Sequence, residues 1–217
     1  MIPKNEKTCY IFAAAPISED QRIEDITSDD FVIAADGGYG YTSQKDIAVD
    51  LCIGDFDSLE SKPRGDFELL EYPVRKDDTD TGLAVKYGLS HGYRRFVIYG
   101  GLGGRRRYHT VSNFQTIAFI AENGGRGYLI ENNGFVTAIS SGQSIELPPG
   151  AYSPEAKLSI FSLTGTCDGV CIENMQYCLD GAALTFDYPI GAGNGFVEGQ
   201  TAKISVKNGN LLIIYEE

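Results

Sequence analysis

The sequence predicts an α/β N-terminal part with a mostly parallel, Rossmann-like sheet, followed by an all-β sandwich. Three observations carry that reading. Up to about residue 132, short apolar runs alternate with helical patterns, the alternation that builds a parallel sheet with helices on its faces. Beyond that point come short β-rich runs separated by turns, with no helical pattern among them. Glycine and aspartate clusters follow several of the early runs, at the strand ends where open α/β sheets bind ligands. The domains are expected at 1–132 and 133–217.

Taken in order, residues 8–15 form an apolar first strand and 31–35 a second, which ends at Asp36-Gly37-Gly38. Residues 51–53 are the third strand and 68–72 a short fourth. A helix fits 79–90, with Leu83, Ala84 and Tyr87 at helical spacing and Gly92 closing it. Residues 96–99 are a strand that runs into Gly100-Gly101-Leu102-Gly103-Gly104-Arg105. Residues 111–122 are helical, closed by Asn123-Gly124-Gly125, and 127–131 form one more strand. The second part offers runs at 135–139, 144–147, 157–163, 169–172, 182–186, 201–206 and 211–215. Pro148-Pro149-Gly150 and Lys207-Asn208-Gly209-Asn210 are two of the turns between them.

The 217 residues suffice for one large domain or two small ones with a good core. A net charge of −12 argues against general nucleic-acid binding, which needs clustered Lys and Arg. It leaves room for a nucleotide, because a divalent cation can screen the charge locally. No apolar run reaches membrane-spanning length, and Met1 to Lys7 lack the apolar core of a signal peptide. A cytoplasmic protein that binds no membrane is expected. The cysteine count of five is odd, and Cys9 and Cys52 sit in strand-like runs, so buried thiols are expected. Cys167, Cys171 and Cys178 have a C-x3-C spacing with no histidine nearby, which speaks against zinc.

Two aspartate clusters stand out: Gly54-Asp55-Phe56-Asp57-Ser58 and Lys76-Asp77-Asp78-Thr79-Asp80. Adjacent carboxylates repel unless a cation sits among them. Magnesium takes one or two carboxylates together with substrate phosphates. Asp55 and Asp57, two apart in extended chain, present their side chains on one face. In the second cluster Lys76 suits a phosphate, and one aspartate can serve only to cap the helix. Asp77 is expected to face the cation and Asp80 to stay close to it, and spacing alone does not decide which of them binds. The bland reading of either cluster is a solvated acidic loop. Asp-x-Asp after a strand also marks a class of phosphatases, although there it follows the first strand.

Residues 100–107 hold four glycines and three arginines ahead of a helix. Backbone amides in such a loop cradle phosphate, and arginine adds bidentate contacts. It is neither a Walker A loop nor the dinucleotide fingerprint. His109 suits a structural or nucleotide-stacking role, and His91 beside a helix-ending glycine needs none.

Together these segments resemble the thiamine pyrophosphokinase family over nearly the whole chain. The matches are Ala35 to Gly38, Ile53 to Ser58, Lys76 to Asp80, and the loop at 100–105 with His109 and Asn113. In the tail they are Ser162-Leu163 through Gly169-Val170, Tyr177-x-Leu179 and Gly193 to Phe196. The resemblance implies transfer of the diphosphoryl group of ATP to thiamin, giving thiamin diphosphate and AMP. It implies Mg2+ on Asp55, Asp57 and Asp77, with Asp36 and Asp80 in the same acidic pocket and a carboxylate acting on the thiamin hydroxyl. Gly37, Lys76, Thr79, Gly103, Gly104, Arg105, Arg106, His109 and Asn113 would hold ATP. Tyr177, Gly193 and Asn194 would meet thiamin, near the subunit interface of a homodimer.

Three positions depart from the family pattern. The usual Arg-x-Asp-His is Arg105-Arg106-Arg107-Tyr108-His109 here, without the Asp. Gly193-Asn194 replaces Ser-Asn, and Tyr177 stands where many relatives have Trp. The competing readings are a metal-dependent phosphohydrolase using Asp55 and Asp57, and a diverged homodimer that binds thiamin or a nucleotide without transfer.

Overall fold

The central strands are apolar on both faces. β1 (Thr8–Phe12), β2 (Phe31–Ala35), β3 (Leu51–Gly54) and β5 (Arg95–Tyr99) are buried almost throughout. Near-continuous Val, Ile and aromatic runs are what a sheet covered on both faces requires. In this computed structural model, which describes residues 6–57 and 61–217, they pair in parallel with β4 (Glu68–Glu71) and β6 (Arg126–Glu131). The order is β6-β5-β1-β2-β3-β4. Ser58, the end of the first aspartate motif, lies outside the described residues.

Alternation along each strand divides the core. Cys9 and Ile11 of β1 join Ile33, Ile53, Ile98 and Leu129 on the face covered by α2 (Asp80–Ser90) and α3 (Arg107–Glu122), through Ala84, Val85, Ile117 and Ile120. Tyr10 and Phe12 face the other way, towards Tyr99 and Tyr128. α1 (Gly38–Gln44) packs on that second side through Tyr41, whose ring stacks on Phe12.

After β6 the sheet changes direction without ending. Glu131 pairs with Gly134 across a two-residue turn, and β7 (Gly134–Ile139) runs antiparallel to β6. β14 (Leu211–Glu216), β9 (Lys157–Ser162) and β12 (Asn194–Gly195) extend it to ten strands. A separate four-stranded antiparallel sheet has the order β11-β10-β13-β8. It comprises β8 (Ser144–Leu147), β10 (Thr166–Glu173), β11 (Leu179–Thr185) and β13 (Ala202–Ser205). Leu158, Ile160, Leu211 and Ile213 of the large sheet share one core with Ile145, Val170, Leu184 and Ile204 of the small one. The architecture is a mixed sheet with helices and a separate antiparallel sheet. The change of pattern at 132 marks a turn inside the larger sheet rather than the start of a new one.

Two features escaped the sequence pattern. α1 is one, because glycines interrupt any apolar stripe. The other is Arg95, only 2 % exposed at the start of β5. Its guanidinium donates to both oxygens of Glu24 at 2.9 and 3.0 Å and to Thr8 Oγ1 at 2.9 Å. Tyr10 also donates to Glu24, and the Glu24 amide donates to the Tyr99 hydroxyl. A buried charge persists only when paired and hydrogen-bonded, and this network ties the connection from β1 to β2 onto the sheet. No helix of the described residues is long and apolar enough to cross a membrane.

Gly38 is the tightest contact of α1: a β-carbon there would lie 1.9 Å from the Phe12 carbonyl oxygen, whereas one on Gly40 meets nothing within 4 Å. Gly38→Ala should lower stability by about 2–4 kcal/mol, while Gly40→Ala should raise it by roughly 0.5–1 kcal/mol. Denaturant midpoints of the two variants check this. The thiols give a second test. Cys9, Cys52 and Cys167 are buried and Cys178 exposed, and burial pushes the Cys52 thiol up to about 12. Alkylation of the native protein at neutral pH should mark Cys178 and spare those three, read by mass spectrometry of the digest.

Candidate active site

Register brings the first acidic residues together. Ala35 pairs with Ile53, so Asp36 and Gly54-Asp55 leave the sheet side by side. The Asp36 amide donates to the Ile53 carbonyl at 2.8 Å, and Asp36 turns away at φ 47°. Gly54 gives it room: a β-carbon at 54 would stand 3.1 Å from that of Asp36, at a φ of 155° that disfavours any side chain. Phe56, at φ 56°, is buried against Ala34 and Cys52. That anchor fixes Asp55 and Asp57 on either side of it. One carboxylate oxygen from each of Asp36, Asp55 and Asp57 lies within 4.8 Å of the other two. Three hard oxygen donors at that spacing can hold a divalent cation.

Lys76 supplies the positive charge. Its Nζ lies 2.9 Å from Asp55 Oδ2 and 2.9 Å from Asp80 Oδ1, with the Lys76 side chain 12 % exposed. The hydrogen bond from Lys76 holds the Asp55 carboxyl below the usual range. The charge on Asp55 in turn pushes Asp57 up, with Arg106 opposing. Burial raises Asp80, again against Lys76. Burial also works against the Lys76 ammonium, but its two carboxylate partners prevail and its pKa is raised.

The second cluster divides its labour. Thr79, not an aspartate, caps α2, its Oγ1 accepting from the Gly82 amide at 3.0 Å. Asp78 pairs with Lys86 at 2.7 Å. Asp80 joins the site through Lys76, while Asp77 is exposed and outside the three-carboxylate group.

The glycine loop closes the other side. Gly100, Gly103 and Gly104 have φ of 65°, 69° and 79°. Arg105, Arg106 and Arg107 are exposed at its tip. α3 starts at Arg107 without a side-chain cap; of its first-turn amides, that of His109 donates to the Arg106 carbonyl at 2.9 Å. Asn113, buried, donates to the Gly101 carbonyl at 2.6 Å and pins loop to helix. His109 lies against the Tyr108 ring, with centroids 4.6 Å apart. In the tail, Asn194 clamps the backbone of Tyr177: its Oδ1 accepts from the Tyr177 amide at 3.0 Å and its Nδ2 donates to the Tyr177 carbonyl at 2.7 Å. The Tyr177 ring is 74 % exposed. Gly193, at φ 74°, donates its amide to Ser159 Oγ.

Comparison with known families decides the class. The thiamin pyrophosphokinase catalytic domain matches residues 24–126, and the vitamin B1 binding domain of the same family matches residues 144–211. The chain belongs to the thiamin pyrophosphokinase family. It is a transferase, a thiamin diphosphokinase, and its family implies thiamin and ATP as substrates. Asp36, Asp55, Asp57, Lys76 to Asp80 and the glycine loop all fall in the catalytic match; Tyr177, Gly193 and Asn194 fall in the thiamin-binding match.

Solved structures agree on the fold. Thiamine pyrophosphokinase from Bacillus subtilis superposes with a TM-score of 0.82 at 19 % identity, covering 97 % of this chain and 99 % of that one. A thiamin pyrophosphokinase family protein from Enterococcus faecalis gives 0.74 at 21 %, covering 98 % and 99 %. The thiamin pyrophosphokinase of Candida albicans gives 0.72 at 12 %, covering 97 % and 88 %. No curated protein matches the chain.

The charge arrangement makes a signed prediction for this diphosphokinase in metal-free buffer. Asp57 has a raised folded-state pKa because of Asp55, so its ionisation penalises the folded state at neutral pH. The penalty fades as pH falls through that raised value towards the ordinary carboxylate range. Asp57→Asn should therefore raise Tm at neutral pH, and the gain should vanish in acid. Lys76→Met should do the reverse, lowering stability by about 1–3 kcal/mol at neutral pH. Thermal melts of both variants across pH check the pair.

Proposed function

We propose that Asp36, Asp55 and Asp57 form the magnesium site at which the diphosphoryl group of ATP passes to the thiamin hydroxyl. The observation that carries this is the approach of their oxygens to within 4.8 Å, with the charge of Arg106 felt at Asp57. The donor set fits the ion: carboxylates alone, with substrate phosphates to complete the shell. Bound there, magnesium would neutralise phosphate oxygens and make the β-phosphorus a better electrophile.

The protein groups then have separate tasks. Arg105 and Arg106 hold phosphate oxygens by paired N–H donors, and backbone amides of Gly103, Gly104 and the start of α3 add to that cradle. Gly37, Thr79, His109 and Asn113 shape the surroundings of ATP. A bond forms between the thiamin hydroxyl oxygen and the β-phosphorus, and the bond from that phosphorus to the α–β bridging oxygen breaks. The hydroxyl proton passes to a carboxylate of the acidic pocket, to which Asp77 and Asp80 also contribute. AMP leaves with the bridging oxygen. Lys76 holds Asp55 ionised for the cation and turns to phosphate as ATP arrives. Tyr177, presented by the Asn194 clamp beside Gly193, stacks on the cationic thiazolium.

Residues 1–132 form the part that binds ATP and metal, and 133–217 the β-sandwich part that binds thiamin; the two matched segments support that division. A homodimer is supported by the exposed Tyr177, Phe186, Tyr188 and Ile190, more apolar surface than one chain has reason to leave bare. Five free cysteines support the cytoplasm.

The test is a product assay with magnesium, ATP and thiamin. AMP and thiamin diphosphate should form one for one, and Asp55→Asn should cut turnover by about a hundredfold or more with the fold intact. ADP with thiamin monophosphate, or phosphate release independent of thiamin, would refute the reading. Tyr177→Ala should raise KM for thiamin about tenfold and leave KM for ATP near its wild-type value.

A further inference from the structure

A cavity of about 370 Å³ opens between α1 and the starts of β3 and β4, at the strand ends opposite Asp36 and Asp55. Tyr39 and Phe67 form one wall, their rings edge to face at 61° with centroids 5.7 Å apart. The Tyr39 hydroxyl donates to the Arg64 carbonyl at 3.1 Å, which fixes that ring. Ile47 and Val49, half-buried, continue the apolar lining. Asp46 and Asp66 supply its charge, and among the described residues no Lys or Arg lines it.

Charge and shape together identify the ligand. Among the described residues neither carboxylate takes part in an ion pair. Lys45, next to Asp46, donates its Nζ to the Glu19 carbonyl instead, and Lys62 pairs with Glu71. Asp46 is also unfavourably placed for an anion without a partner. It stands just past the C-terminus of α1 at φ 53°, a turn conformation that glycine usually supplies. The C-terminal end of a helix disfavours negative charge as well. A bound cation would offset both carboxylates, and ring faces beside such charges are the surroundings that hold organic ammonium groups. The volume falls within the range of small-molecule sites, which leaves space for an apolar body on the cation. A bare metal ion would use the carboxylates alone and leave the aromatic wall without a task.

We propose that the cavity lined by Tyr39, Phe67, Asp46 and Asp66 binds a small organic cation, a positive nitrogen group on an apolar body. The charge lies between the two carboxylates and the two rings, and the apolar body lies against Ile47 and Val49. This site is separate from the transfer site, and the proposal does not depend on the transfer reaction. The two sites share a wall, since Tyr39 and Phe67 pack with Phe56, the residue between Asp55 and Asp57. An occupant therefore adds contacts to the small core on which those two aspartates are mounted.

The test is binding of benzyltrimethylammonium to the full chain, followed by calorimetry and by amide chemical shifts. Benzyl alcohol and benzenesulfonate are the uncharged and anionic controls. The cation should bind saturably with a Kd of about 1 mM or tighter, and it should shift the amides of Tyr39, Thr42, Val49 and Phe67. The controls should bind about tenfold more weakly or worse. Asp46→Asn combined with Asp66→Asn, both on exposed side chains, should weaken the cation by about fivefold or more. Phe67→Leu, which keeps an apolar wall without the ring face, should weaken it by about threefold or more. Thiamin, itself a cation, serves as competitor. Reversal of the shifts at Tyr39 and Phe67 by thiamin makes the substrate the source of the cation, and their persistence makes it another amine; either result keeps the site. Four results would each overturn the proposal: no saturable binding, equal binding of cation and controls, shifts confined to the surroundings of Tyr177, or wild-type affinity in the folded double variant. Should the double variant fail to fold, wild-type affinity in Phe67→Leu overturns it instead.

Discussion

Three carboxylates within 4.8 Å of one another repel, and a folded chain that brings them together must oppose that repulsion. Here the opposition comes from Lys76, which bridges Asp55 and Asp80, and from Arg106, whose charge reaches Asp57. The compensation is incomplete: Asp57 remains above its ordinary pKa. On the proposed reading, a divalent cation at the three carboxylates would supply what is missing. The site is thus strained electrostatically in a way that a bound cation would relieve, and its acidic residues follow directly on the ends of β2 and β3.

The backbone is strained at the same place. Asp36 and Phe56 both sit at positive φ, a region costing a residue with a β-carbon roughly 1–2 kcal/mol. Such strain persists only where packing over-determines it. Phe56 is locked against Ala34 and Cys52, and Asp36 occupies the space that Gly54 leaves. The parallel register of β2 on β3 underlies both, since it decides that Asp36 emerges beside Asp55. Packing of an apolar core therefore positions the most polar part of the molecule.

Much of the fold was legible because the central strands are buried on both faces and show as unbroken apolar runs. β9 was legible for a different reason, a buried residue at every second position, whereas β14 shows as one more apolar run. α1 was not, because Gly38, which is there for its close approach to Phe12, and Gly40 leave no apolar stripe. Arg95 was not, because a charged residue reads as a strand boundary until Glu24, 71 residues earlier, is known to meet it. The continuity of the sheet past residue 132 was hidden for the same kind of reason: pairing of Glu131 with Gly134 is a matter of register, not composition. In the site, the aspartate clusters, Lys76 and the glycine loop announced themselves by residue type and spacing. The family resemblance put Asp36 in one acidic pocket with Asp55 and Asp57, but the approach of their oxygens to within 4.8 Å needed three dimensions, as did the capping of α2 by Thr79 and the Asn194 clamp on Tyr177.

The measurement that bears most directly on this account is titration of the metal itself. Mn2+ binding, followed by electron paramagnetic resonance in the presence of AMP, is compared for wild type and for Asp36→Asn, Asp57→Asn and Asp77→Asn. The account predicts that Asp36→Asn and Asp57→Asn each weaken the ion by about tenfold or more, while Asp77→Asn changes it by less than about threefold. Binding that survives Asp36→Asn and disappears in Asp77→Asn would contradict it, and would move the ion from the β2 and β3 strand ends to the mouth of α2.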